Sequence, residues 1–417
     1  MSYRGIGDER REEVRSAVLC VLAVLLIGFV QRDEVPAFAG MTMEHSAGRD
    51  ACPAFAGMTE KGAVQREVRG ENRGEARGNQ ALTGFVNEKI PEKIRQLWKF
   101  KAGDEIKASP VVSGNMMVVG SMDGFVYALD LNGKLMWKMD TGNGIEAPAL
   151  ILDNIVYVGN LTGILFALNL KDGHVKWKYE SEGQISGSAN WWKSGNTTRI
   201  LVGSYDYNLH CIDAATGKGI WKYESDNFIN GAAACVDGKV IFGGCDGFLH
   251  VVDIVTGKIS EKIDVATYVP GSAPTADGLT FVGDYDGGFS CVSLAEKKIS
   301  WKYTNDKAQL PFVASAAVSG DRVLTGSRDR HVYCLGKLNG QLIWKYNTGE
   351  KVDASPLICQ DKVLVANMRG DLILLKLSDG GLVWTYETGT PVFSNPAVAD
   401  GKIFLGGQDG WVYGLGR

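Results

Sequence analysis

The chain has 417 residues, and its 44 Lys+Arg against 48 Asp+Glu leave a formal net charge of -4, so composition gives no sign of a nucleic-acid surface. Glycine is abundant at 53 residues, which suits a chain made of many tight turns with positive φ.

Residues 1–16 carry Arg4, Arg10, Arg11 and Arg15 mixed with acidic residues, and residues 17–30 form an apolar run of fourteen. A helix of that length reaches about 21 Å, short of the ~30 Å hydrocarbon core of a bilayer. Residues 1–35 are therefore read as a signal-peptide-like or anchor segment, with Ala37-Phe38-Ala39 as an A-x-A cleavage site. A start upstream of the true one is the remaining alternative. Residues 36–93 have no core-forming pattern. PAFAGMT occurs twice unchanged, at 36–42 and 53–59, and residues 66–80, REVRGENRGEARGNQ, are charged and almost free of aliphatics. Such a stretch cannot repay the entropy of ordering, so a disordered linker is expected.

From residue 94 the chain repeats. The unit is clearest at 211–221, CIDAATGKGIW, and its last position falls at Trp98, Trp137, Trp177, Trp221, Glu261, Trp301, Trp344 and Trp384, in steps of 39 to 44 residues. That is the length of one propeller blade. The first step divides into ASPVV (108–112), MMVVG (116–120), FVYALD (125–130) and KLMWKM (134–139), four extended segments A to D parted by turn residues. The chain begins this pattern on a D segment (94–100) and leaves it on a C segment (411–416). The expected fold is an all-β, eight-bladed β-propeller of four-stranded antiparallel blades over 94–417. The N-terminal D strand closes on the C-terminal A, B and C strands, which removes free edges inside the ring.

The recurring residues read mainly as architecture. Trp98, Trp137, Trp177, Trp221, Trp301, Trp344 and Trp384 are expected to stack between neighbouring blades, and Glu261 should leave its seam weaker. Asp123, Asp206, Asp246, Asp286, Asp329 and Asp409 recur in the B–C turn, where a carboxylate accepts turn amides. His210 and His250 share a strand-C position with Tyr127, Tyr333 and Tyr413 and are read as amphipathic face residues. Cys211, Cys291 and Cys334 also share one position, which wants a small apolar side chain, and only Cys235 and Cys245 form a pair to check for a bond. Nucleophile elbows, phosphate loops, CxxC and HExxH are absent from the sequence, so no catalytic, cofactor or metal residue is assigned.

Strand A should line the axis. Just before its small-residue position stand Lys107, Glu146, Ser186, Asn230, Pro270, Val313, Asp353 and Phe393. Such variation either serves the fold alone or makes one asymmetric pocket with Lys107, Glu146 and Asp353 as its charged members. Two insertions break the period: 190–199, which holds Trp191 and Trp192, and 304–312. They should lie on opposite faces, and loops on a rigid scaffold are where recognition concentrates. Lys107, Glu146, Asn230, Asp353, Phe393, Trp191 and Trp192 are thus the candidate channel-mouth or partner-binding residues.

The unit A-x-D-x-x-T-G-x-x-x-W resembles the tryptophan-docking repeat of quinoprotein propellers, and residues 211–221 match it at every position except the first, where Cys211 replaces Ala. Quinone-dependent alcohol dehydrogenases of this superfamily carry a vicinal cysteine pair, calcium ligands and a catalytic Asp; no adjacent cysteines occur here. In size, blade count and closure the closer likeness is to BamB-type scaffolds of outer-membrane protein assembly. That likeness implies an exported, periplasmic, monomeric scaffold that binds envelope protein partners, holds no cofactor and touches the membrane only through its N-terminal segment. The alternatives are a dehydrogenase using pyrroloquinoline quinone (PQQ) with calcium and a propeller that binds a small ligand or sugar. Cys20 stands near the start of the apolar run, where a lipobox would need a Cys just after it.

Overall fold

The repeat becomes eight sheets in the computed structural model, which describes residues 73–417, and within each blade the four repeat strands run antiparallel. The segment at 1–35 and the linker up to residue 72 lie outside the described residues. In blade 1 the strands are Val111–Ser113 (A), Met116–Gly120 (B), Phe125–Asp130 (C) and Leu135–Asp140 (D). Strands B and C are buried nearly throughout, because each blade is covered on both faces by its neighbours. Strand D alternates between covered and exposed positions, as an outer strand with one free edge should. Strand A is shorter than its apolar run suggested: only 111–113 pair with strand B, while 108–110 lead in along the axis.

The ring closes as expected. Arg95–Lys101 pairs antiparallel with Trp411–Gly416, so the first D strand completes the last blade. Inside the ring each blade sets a buried apolar residue against the end of the preceding B strand. Ile145 lies against Gly120, Ile185 against Gly159 and Ile229 against Gly203, with no room there for a larger side chain.

Each slot tryptophan docks on the next blade rather than merely stacking. Trp137 Nε1 donates to Leu170 O at 2.7 Å and Trp344 Nε1 to Leu377 O at 3.0 Å. Beneath the ring sits a glycine of the next C–D turn: a Cβ on Gly380, whose φ is +72°, would come within 2.7 Å of Trp344. The Gly of T-G-x-x-x-W therefore serves the tryptophan of the preceding blade. Trp137 and Trp344 are buried and the other five only partly so, which lowers the area each contributes.

The Glu261 seam has a different solution. Lys297 occupies the glycine position of the next blade with φ +56°, and its Nζ lies 2.6 Å from Glu261 Oε1. An exposed ion pair of this kind contributes roughly 0–1 kcal/mol, less than a docked indole. Glu261→Trp alone is expected to fail to stabilise, because the Lys297 side chain stands where the ring must lie. Glu261→Trp with Lys297→Gly should raise stability by about 1–2 kcal/mol relative to Glu261→Trp. A urea-unfolding double-mutant cycle without coupling between the two sites would refute this account of the seam.

His210 and His250 are fully buried, not face residues. His210 Nε2 meets Asp206 at 3.0 Å and its Nδ1 meets Tyr179 Oη of the preceding blade at 2.9 Å; His250 repeats this with Asp246 and Tyr223. A carboxylate can only accept, so the proton of a neutral ring sits on Nε2 and the tyrosine donates to Nδ1. The B–C carboxylates do accept turn amides, as Phe125 N to Asp123 Oδ1 at 2.9 Å shows. In blade 5 that role falls to Asp284, which receives Gly288 N at 2.6 Å, and Asp286 is exposed. Cys235 and Cys245 are not joined by a disulfide bond.

The largest departure from expectation lies at 73–93, which is ordered. Residues 73–86 cross the channel at its A–B end, following the inner edges of strand A from blade to blade. Arg73–Gly74 pairs antiparallel with Leu150–Leu152 of blade 2. Gln80 O then accepts from Cys235 N at 2.9 Å, Ala81 O from Thr275 N at 3.0 Å and Thr83 O from Val318 N at 2.7 Å. Phe85–Val86 ends the path in parallel pairing with Leu357–Cys359 of blade 7. Ile90 is buried in the blade 7 and 8 core, and Pro91 O receives the Trp384 indole at 3.1 Å, replacing the C–D turn that the split blade lacks. The segment has too little apolar surface to order alone; the free inner edges supply the order.

Candidate partner-binding rim

The D–A and B–C loops meet at the end of the channel opposite the 73–86 segment. Of the predicted residues there, Lys107 and Glu146 do come together, with Lys107 Nζ 2.9 Å from Glu146 Oε1 and 3.2 Å from Glu105 Oε1. Burial works against the Lys107 charge, but the two glutamates outweigh it and raise its pKa. Asp353 does not join them. It forms a two-pronged pair with Arg328 of blade 6, at 3.0 Å to Nε and 2.9 Å to Nη2, which outweighs desolvation of the guanidinium and raises its pKa. Of the two alternatives, a single pocket holding all three charges is not formed: they sort into two pairs on different blades.

Blades 3 to 6 carry an aromatic arc between these pairs. Tyr205 and Phe228 have ring centroids 4.7 Å apart, Tyr268 and Tyr285 stack at 4.6 Å, and the Arg328 guanidinium lies 5.7 Å from the Tyr285 ring. Asn230 Nδ2 is 3.1 Å from Cys245 Sγ, while its buried Oδ1 has no hydrogen-bond partner. Phe393 is half-buried beside Ser394. Burial raises the Tyr205 hydroxyl pKa against the opposing hydrogen bond from Ser186.

Sequence reasoning missed Tyr205, Tyr285 and Arg328. They hold the position before the B–C Asp slot, which reads Met122, Leu161, Tyr205, Cys245, Tyr285, Arg328, Met368 and Gln408. That position varies as much as the Lys107 position, and this was the available signal. Just inside the rim a polar belt joins the blades: Ser272 N donates to Ser315 Oγ at 2.9 Å, Ser315 N to Ser355 Oγ at 3.0 Å, Ser355 N to Asn395 Oδ1 at 2.6 Å and Asn395 N to Ser109 Oγ at 2.8 Å.

Trp191 and Trp192 lie at the other end. The 190–199 insertion lengthens the A–B hairpin to Asn190–Ser194 and Thr197–Gly203. Trp191 is buried there and its Nε1 donates to Glu75 Oε1 at 2.7 Å, so it holds the channel-crossing segment; Trp192 packs partly buried on the blade 3 and 4 core. Among the described residues no group of three or more His, Cys, Asp or Glu is placed to hold a metal ion.

These features define a closed, tryptophan-docked propeller with a variable rim on a rigid ring. The chain belongs to the outer membrane protein assembly factor BamB family, whose model matches residues 91–303, 184–352 and 328–416. BamB from Moraxella catarrhalis is similar in fold, with 19% identity, a TM-score of 0.66 and coverage of 78% of this chain and 98% of that one. The computationally designed Ika8 protein has 18% identity and a TM-score of 0.68 over 78% of this chain and 100% of its own. Quinohemoprotein alcohol dehydrogenase from Comamonas testosteroni has 13% identity and a TM-score of 0.65, covering 81% and 80%. At these identities the likeness is one of fold alone. Among curated proteins, none matches this chain in sequence at a significant level.

Proposed function

We propose that this chain is a non-catalytic scaffold of the cell envelope that binds a protein partner on the D–A/B–C rim, in support of outer-membrane protein assembly. The observation that carries this reading is the family match running through all eight blades, from residue 91 to 416. The rim supports it. Tyrosine, phenylalanine and arginine are the residues that dominate protein interfaces, and here they stand on short loops of a rigid ring. The charged pairs Lys107–Glu146 and Arg328–Asp353 are internally neutralised and suit a polar border to the aromatic arc. Residues 1–35 would deliver the chain to the periplasm or tether it there, and the propeller acts as a monomer.

A photo-crosslinking amino acid at Phe393 or Tyr285, with Lys193 on the opposite face as control, tests this in intact envelopes. Adducts with one envelope protein from the two rim positions and none from Lys193 are expected. Equal labelling from all three, or none from the rim, would remove the rim from the proposal. Saturable binding of PQQ with calcium, coupled to dye-linked alcohol oxidation, would overturn the scaffold reading itself.

A further inference from the structure

The A–B end of the channel is built to hold an extended chain carrying an arginine. Arg77 is buried at the centre of the 73–86 segment. Its Nη1 donates to Pro356 O at 2.9 Å, and its Nη2 donates to Ser315 O at 3.2 Å and to Ala316 O. Three main-chain carbonyls from blades 6 and 7 thus converge on one guanidinium, and they would be left without it as a donor if the segment departed. Five residues on, Leu82 fills an apolar pocket against Ala232 and Ala234. Between and beyond these anchors main-chain hydrogen bonds to the strand edges predominate, the mode in which free edges take up an added strand, with side-chain bonds from Trp191 Nε1 to Glu75 Oε1 and from Gln80 Nε2 to Trp191 O, both at 2.7 Å, beside them.

The occupant is held at a cost. The guanidinium is buried among carbonyls, its Nε has no partner, and burial pulls its pKa down to about 9, still charged at neutral pH. Arg77 and Leu82 both adopt left-handed backbone, at φ +69° and +58°, where non-glycine residues are strained. Its ladder pairings are only two residues long at either end. The family match begins at residue 91, so the ring is defined without the segment. A permanent part of a core would use mainly apolar side chains; this segment is seated as a ligand is seated, by strand edges, the Arg77 anchor, the single apolar side chain of Leu82 and a few polar bonds.

We propose that the A–B end of the channel is a binding site for an extended, arginine-bearing peptide, and that residues 73–86 are its resident, displaceable occupant supplied in cis. Displacement would open the channel and free the segment together. This site is separate from the rim and does not depend on what the rim binds.

The test uses the full chain. A fluorescein-labelled peptide of residues 73–90 is titrated against wild type and against Arg77→Ala, with anisotropy as readout and circular dichroism to check the ring. The variant, having lost its anchor in cis, is expected to bind the peptide at least ~10-fold more tightly than wild type does. A peptide carrying Arg77→Ala should lose at least ~10-fold against that same variant, the range for a hydrogen-bonded charged group. A folded variant that takes up no more peptide than wild type, or that binds both peptides equally, would overturn the proposal. Should the variant not fold, the decision passes to a wild-type segment severed after folding at a protease site placed in 87–89. Exchange of the severed segment for labelled peptide on an intact ring supports the site. A segment that does not exchange, or a ring that unfolds as it leaves, sinks it.

Discussion

Trp344→Ala is expected to destabilise the propeller by about 3–5 kcal/mol, the range for removing a large buried aromatic side chain. Three losses combine. The indole packs in the blade 6 and 7 core, its N–H is bonded to Leu377 O, and Gly380 lies too close beneath the ring for any other residue to fill the space without backbone movement. Trp344→Phe keeps most of the packing and should cost less, with about 1 kcal/mol of its loss from the hydrogen bond. Urea-unfolding midpoints for the two variants measure the split. A Trp344→Ala midpoint within 1 kcal/mol of wild type would show that the blades hold together without this contact.

The second large effect concerns acid. The Asp206 side chain is 6% exposed and its partner His210 is fully buried. Burial alone would raise the Asp206 pKa, but the hydrogen bond from His210, with those from the amides of Asn208 and Glu182, holds it well below the usual carboxylate range. Asp246 is lowered in the same way by His250 and the Phe248 amide. A carboxylate whose folded pKa is depressed stabilises the fold above its unfolded value, near 4, and that contribution is lost as pH falls toward the folded value. Stability should therefore be flat in these groups near neutrality and fall below about pH 4. Asp206→Ala is expected to cost about 3 kcal/mol at pH 7, because it strands the buried imidazole N–H and the part-buried Asn208 amide, and to flatten the acid limb. Asp206→Asn should cost less: the imidazole can move its proton to Nδ1, donate to Tyr179 Oη and accept from the new amide at Nε2. Unchanged acid unfolding of Asp206→Ala between pH 5 and 2 would refute this assignment.

These two effects differ in how legible they were. The tryptophans announced themselves by spacing, and the docking of each on the next blade follows from the same repeat that places the glycine. The Tyr–His–Asp chains did not. His210 and His250 alternate along strand C with apolar residues in a way that suits a half-exposed face, and only the neighbouring blade, whose Tyr179 and Tyr223 arrive from the preceding repeat, turns that face inward. Glu261 likewise reads as a defect by itself, because its partner Lys297 stands in the next repeat.

The repeat length, the four-strand unit, the turn chemistry and the phase of the two chain ends are local properties, written in periodic side chains. They determined an eight-bladed, self-closing ring before any contact was known, because a blade can bury its faces only against others of the same kind. What the rim pairs with what, and where 73–86 lies, depended on residues brought together across blades. Lys107 could have faced any acid on the ring, and the geometry gave it Glu146 and gave Asp353 to Arg328. The polar, glycine-rich segment carries no apolar period to read, since its order comes from main-chain donors on strand edges and from three carbonyls around Arg77. Backbone groups are the same in every residue, so a site made from them leaves no mark on the sequence and exists only once the ring has closed.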